Sequence, residues 1–238
     1  MMRKLSISFV LAAFALTSLA AQDLDKILND HFKATAQEKL LNITSTTMTG
    51  KVVAMGMETT ITLYQARPNK LRMEMTIMGS QMITTFNGTT GWTYAPAMGI
   101  TEPMEMGPDE LGAALDQANI DSPFWNYKEK GYNVELLGNS EDGSAYKIKL
   151  TKAEGDEMLI LISKESSLMS KVVTSQVVNG MDADIEMVMK DYKTVKGIPV
   201  AHYMATKMSG QLISTITFES IEFNKALDSS LFGKPVVE

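Results

Sequence analysis

From Thr44 onward the chain alternates apolar and polar side chains with a period of two, the pattern of strands buried on one face only. In "KLRMEMTIM", Leu71, Met73, Met75 and Ile77 point one way, and Arg72, Glu74 and Thr76 the other. "MDADIEMVM" repeats the split, with Met181, Ala183, Ile185, Met187 and Met189 opposite Asp182, Asp184 and Glu186. Similar runs follow one another almost to the end of the chain. They are separated by turn signals such as Gly56, Pro68-Asn69, Gly79-Ser80, Asn87-Gly88, Asn179-Gly180, Lys196-Gly197 and Ser209-Gly210. Consecutive hairpins of this kind predict an antiparallel meander of roughly eleven or twelve strands.

Two segments break the period. Leu24, Ile27, Leu28 and Phe32, then Leu40, Leu41 and Ile43, recur at helical spacing, which predicts an amphipathic helix interrupted near Thr35 to Gln37. In "MGPDELGAALDQANIDSPFWNYKEKG", Pro108 suits a helix start, Leu111, Ala114 and Leu115 form a short apolar stripe, and Asp121-Ser122-Pro123 ends it. No low-complexity linker divides the chain, so the reading is one domain over 22–238, mainly β, built on a single strongly curved sheet. Its apolar face must be covered, and two modest helices offer little cover for so many strands.

The first residues, "MMRKLSISFVLAAFALTSLAAQ", read as an export signal over 1–21. Arg3 and Lys4 are positive, Leu5 to Leu16 are apolar, and Ser18, Ala20 and Ala21 form a small-residue cleavage zone. The apolar run is shorter than the ~20 residues that a spanning helix needs. The chain has no cysteine, so no thioether-lipidated amino terminus, disulfide or thiol chemistry is expected. Loss of Arg3 and Lys4 leaves 20 basic against 28 acidic residues, a net charge of −8, which disfavours nucleic acid and anionic membrane surfaces as partners.

Chemistry-bearing motifs are sparse. His31 and His202 are the only imidazoles and make a poor metal set, so no metal or cofactor is expected. Ser144 to Lys147 spell Ser-x-x-Lys, but a strand points the two side chains to opposite faces. Asp182, Asp184 and Glu186 share a strand face without the looped carbonyls of a calcium site, and they suit a solvated convex surface. The chain has no Gly-x-Ser-x-Gly elbow and no phosphate or dinucleotide glycine loop, so the reading is non-enzymatic. The chain has 19 methionines. They either fill a loose core or line a surface that accepts apolar ligands of more than one shape.

"YQARPNKLRMEM" followed by "FNGTTGWTYAP", where Asn87, Gly88, Thr89, Trp92, Tyr94 and Pro96 fall in register, resembles the LolA/LolB-like family of periplasmic lipoprotein-localisation factors. The likeness is greatest to the methionine-rich outer-membrane lipoprotein-sorting proteins of Bacteroidota, with "DYKTVKGIPV" and the terminal "DSSLF" in corresponding places. This resemblance implies an incomplete antiparallel β-barrel of about 11 strands whose concave face is closed by helices acting as a lid. It implies a monomeric carrier for lipoprotein acyl chains or other lipid, between an inner-membrane donor and an outer-membrane acceptor. The expected cavity lining is Met73, Met75, Ile77, Met187 and Met189, with Leu111 and Leu115 on the lid helix and Trp125 at the rim. By the same resemblance Arg67 is the latch that holds the lid. The alternative is a sensor or accessory protein of the same fold with a packed core.

Overall fold

The computed structural model describes residues 23–54, 56–178 and 181–237. The proposed leader, 1–21, and the predicted turn at Asn179-Gly180 lie outside them. Helix α1 covers 23–34 and is followed after a turn by the single-turn α2 (Gln37–Leu40). The strands are β1 (Ser45–Ala54), β2 (Met57–Ala66), β3 (Lys70–Ile77), β4 (Ser80–Phe86), β5 (Gly91–Ala95), β6 (Ile100–Glu105), β7 (Asn133–Asn139), β8 (Ala145–Thr151), β9 (Glu157–Ser163), β10 (Met169–Val178), β11 (Met181–Val195), β12 (Ile198–Met208) and β13 (Gln211–Phe223). Helix α3 (Pro108–Ala118) sits between β6 and β7.

All 13 strands form one sheet in the order β6-β5-β4-β3-β2-β1-β13-β12-β11-β10-β9-β8-β7. Every pairing is antiparallel, and β6 and β7 remain as free edges, so the sheet does not close. The strand count exceeds the expected number of about 11 because Ile100–Glu105 also pairs, through Thr93 with Met104. Pro103 lies within that strand. Proline cannot donate to a ladder and is tolerated at an edge, so a short polar run with a proline gives little strand signal.

Cross-strand partners share a face. Leu63 faces Met73 and Ile61 faces Met75 across β2 and β3, while Leu71 faces Phe86 across β3 and β4. Leu63, Leu71 and Phe86 pack with Ala114, Ala118 and Leu111 of α3, so this is the face that α3 covers. At the other flank Leu24, Ile27 and Leu28 of α1 pack on Val134, Ile148, Leu150, Ile160 and Ile162. Burying each such side chain is worth roughly 1.5–3 kcal/mol, which fixes α1 on β7 to β9. Between the flanks, Ile43 and the residues around α2 pack on Ile198, Phe218, Ile221 and Phe223.

The opposite face carries a strap made by the chain's final segment. Phe232 is buried, Arg72 Nη1 donates to the Leu231 carbonyl at 2.9 Å and Thr85 Oγ1 to the Gly233 carbonyl at 2.9 Å. The strap explains why Thr85, a polar residue on the outer face of β4, is fully buried.

Candidate functional site

The polar seam beneath the helices is organised by Arg67, at the end of β2. Its Nε donates to the Ile43 carbonyl at 2.7 Å and its Nη2 to the Leu40 carbonyl at 2.9 Å, which also accepts from the Ile43 N–H, so the guanidinium caps the chain as it exits α2. The same guanidinium grips Asp121 bidentately, Nη1 to Oδ2 at 2.6 Å and Nη2 to Oδ1 at 2.7 Å. Gln37 of α2 completes the knot. Its Nε2 donates to Asp121 Oδ1 at 2.8 Å, and its Oε1 accepts from the Ser122 backbone N–H at 3.1 Å. Three elements therefore meet at one carboxylate: the strand end, the helix α1–α2 region and the loop that leaves α3.

Burial pushes the Asp121 carboxyl up, but the hydrogen bonds and charge of Arg67, with the bond from Gln37, outweigh it and hold the group below the usual carboxylate range. The Arg67 guanidinium is pushed up, chiefly by its hydrogen bonds to Asp121. Further in, Gln65 continues the seam, accepting from Thr46 Oγ1 at 2.7 Å and donating to the Gln117 carbonyl at the end of α3 at 2.6 Å.

His31 on α1 is fully buried. Its Nδ1 lies 2.8 Å from the Ser167 carbonyl, which can only accept, so Nδ1 carries the hydrogen and Nε2 accepts from Ser122 Oγ at 3.0 Å. Burial pushes its pKa down. The Ser122–His31 spacing is that of a nucleophile and its base. Here, however, both side chains are buried, the Ser122 hydroxyl also accepts from the Phe124 N–H, and the Phe124 ring stands edge-on to the imidazole at 5.8 Å. The contact ties α1 to the loop after α3 and offers no open approach to a reacting group.

Of the residues expected at the cavity, Met73 and Met75 lie on the helix-covered face opposite Leu63 and Ile61, and Ile77 follows in the same row. Met187 faces Val172 and Thr206, and Met189 faces Met204. Val172 packs against the α1 cluster and Met204 against the central one, so these methionines share that face. All five are half-buried. Leu111 packs under α3, whereas Leu115 is 41% exposed and lies outside the core cluster. None of these methionines lines the cleft to which Trp125 belongs. Trp125 packs edge-on to Phe32 at 5.2 Å and lines a cleft of about 250 Å³ with Asp25, Leu28, Asn29 and Tyr127.

The sequence reading singled out Arg67 but not the residues it meets here, Asp121 and Gln37, nor the Ser122–His31 contact. Asp121 read only as a helix stop, and its partner lies 54 positions away. Among the described residues no cluster of three or more potential metal ligands occurs, and no helix is long and apolar enough to cross a membrane.

The open sheet with helices on its concave face is the LolA fold. A LolA superfamily protein from Nitrosomonas europaea superposes with a TM-score of 0.56 at 13% identity, covering 83% of this chain and 97% of that one. A DUF1329 family protein from Desulfovibrio piger gives 0.57 at 11% identity over 87% of this chain and 97% of its own. A domain from Vibrio parahaemolyticus, given as an outer membrane lipoprotein-sorting protein, gives 0.53 at 12% identity over 87% and 94%. No family model matches the chain, and no curated protein matches its sequence. The likeness is therefore one of fold.

Proposed function

We propose that this protein is an exported carrier that takes lipid acyl chains, of lipoproteins or of other lipids, onto its concave face. It would shield them in transit from an inner-membrane donor towards an outer-membrane acceptor. The supporting observation is the row of half-buried apolar side chains Met73, Met75, Ile77, Met187 and Met189. These lie on the helix-covered face but outside the three packed clusters that seat α1, α2 and α3. Methionine is unbranched and polarizable, so such a lining adapts to chains of different length and unsaturation. Each methylene moved onto it from water contributes about 0.8 kcal/mol, so even a partly inserted chain binds without hydrogen bonds. Arg67, anchored to Asp121, acts as the latch of the empty state, and cargo entry breaks that knot.

A second reading is a non-enzymatic sensor or accessory protein with a packed interior, favoured by how tightly the helices seat on both flanks of the sheet. One experiment separates the two. The protein is expressed from its full chain with export, purified without detergent and examined by native mass spectrometry with organic extraction. The carrier reading expects co-purified phospholipid or acylated peptide. A bare protein mass that also refuses added lipid supports the second reading.

A further inference from the structure

The cleft that Trp125 lines is built from two segments. On α1, Asp25, Leu28, Asn29 and Phe32 recur at helical spacing, so one stripe of the helix forms a wall. The loop after α3, from Phe124 to Glu129, forms the other. Leu28 and Phe124 are buried and make the floor. The walls are tied together, because His31 of α1 meets Ser122 at 3.0 Å and stands edge-on to Phe124. Within the loop, the Trp125 N–H donates to the Ser122 carbonyl at 2.9 Å and the Lys130 N–H to the Asn126 carbonyl at 3.0 Å. The cleft is therefore preformed. At about 250 Å³ it falls below the roughly 300–1,000 Å³ of pockets for drug-sized ligands, so it suits a small group.

Its surface joins aromatic faces to carboxylates. Phe32 and Trp125 are both half-buried, with ring centroids 5.2 Å apart and planes at 87°, so two aromatic walls meet at a right angle. Tyr127 adds a third ring, and the Lys128 ammonium already lies 5.5 Å from its centroid. Such faces attract cations, tryptophan most strongly. Each wall also carries one carboxylate, Asp25 on α1 and Glu129 on the loop. Among the described residues neither forms a salt bridge, whereas Asp30, further along α1, is held by Lys26 at 2.8 Å. Asp25 and Glu129 against Lys128 leave the lining with one net negative charge. An anion would meet both carboxylates, and an uncharged apolar guest would leave them unbalanced. An onium group bearing methyls uses both features. Its methyls lie against ring faces, it has no N–H to satisfy, and the carboxylates balance its charge.

We propose that this cleft binds a quaternary ammonium group, free or as the head of a lipid. The inference goes beyond the carrier reading and does not depend on the methionine row holding acyl chains. The test uses the protein expressed from the full chain and follows Trp125, one of two tryptophans, in a Trp92→Phe background at constant ionic strength. Choline chloride is titrated against sodium chloride, and dimethylbutanol, the carbon isostere of choline, is the uncharged control. The expected result is a saturable change in Trp125 fluorescence with choline, weakened roughly five-fold or more with the alcohol and in an Asp25→Asn, Glu129→Gln variant. Both substitutions fall at exposed positions, and thermal melting checks the fold. Saturation-transfer NMR of the choline methyl protons reads binding without the fluorophore, and Trp125→Leu should abolish that signal. Equal binding of the alcohol would overturn the proposal. So would undiminished choline binding by either variant when folded, or no saturation by choline. Dodecylphosphocholine below its micelle concentration gives the source of the group. Binding tighter than choline, and lost in Trp125→Leu, assigns a lipid head; binding no tighter assigns a free solute.

Discussion

Asp121 accepts from both terminal nitrogens of Arg67, at 2.6 and 2.7 Å, so the loop leaving α3 is pinned to the end of β2 by a fork-to-fork ion pair. Arg67 also holds two carbonyls next to α2, so this one guanidinium ties both α2 and the loop after α3 to the end of β2.

Removing Asp121 should therefore loosen the lid. Asp121→Asn keeps the shape but removes the charge, and it is expected to cost about 2–4 kcal/mol of unfolding free energy at neutral pH. The acid limb gives the sign. The folded carboxyl lies below its ordinary value, so its contribution is fully present above that ordinary value and is lost as pH falls through the depressed one. Denaturant unfolding at about pH 7 and pH 3 should show the wild type and variant converging in acid. A constant gap between them would mean that the pair does not titrate as the geometry requires.

His31 supplies a second pH dependence in a different window. Its folded pKa is lowered, so the unfolded chain binds more protons below the ordinary imidazole value of about 6.5. Its stabilising effect is complete above that value and declines as pH falls towards the folded one. His31→Gln should flatten the decline between pH 7 and pH 5, measured as the difference in unfolding free energy from wild type. Parallel curves would rule out this residue as the source.

At Gly50, beside the bulge where β1 shifts register against β13, an added Cβ would lie 2.1 Å from the Thr217 carbonyl oxygen and 2.8 Å from the Phe218 Cα. Both are backbone atoms and cannot swing aside. Gly50→Ala should cost at least about 3 kcal/mol, or prevent folding, whereas Gly79→Ala, in open space, should cost about 1 kcal/mol for its left-handed backbone. Comparison of the two melting temperatures checks the contrast.

Charging the methionine row should abolish lipid uptake without unfolding the sheet. Met75→Glu with Met187→Glu alters two half-buried positions on separate strands. The expected outcome is a folded protein whose uptake of fluorescent lysophospholipid falls ten-fold or more, because each carboxylate would have to be desolvated by an acyl chain. Unchanged folding and unchanged uptake together would remove these residues from the lining.

Most of the sheet was legible because alternation reports which face a strand buries, and the chain alternates unbroken over Leu71 to Ile77 and over Met181 to Met187. The interruption of the first helix near Thr35 to Gln37 was equally legible, and Ala36 there adopts a left-handed backbone. Asp121 was not, because an aspartate before Ser-Pro has an adequate local explanation as a helix stop, and no local pattern signals an ion pair across 54 residues. Trp125 was expected at the rim of the methionine lining by its place in the loop after α3. Its packing on Phe32 depends on where α1 docks, which the loop sequence does not carry. The terminal strap over Thr85 left no periodic trace, since it is held by two backbone carbonyls and the single buried side chain of Phe232.

The central claim, that acyl chains lie along the methionine row, can be read atom by atom because the lining carries its own probes. With 13C-labelled methionine methyl groups, addition of lysophospholipid should shift the resonances of Met73, Met75, Met187 and Met189 and leave those of the outlying Met98 and Met104 in place. Shifts confined to the exposed methionines, or none at all at saturating lipid, would contradict it.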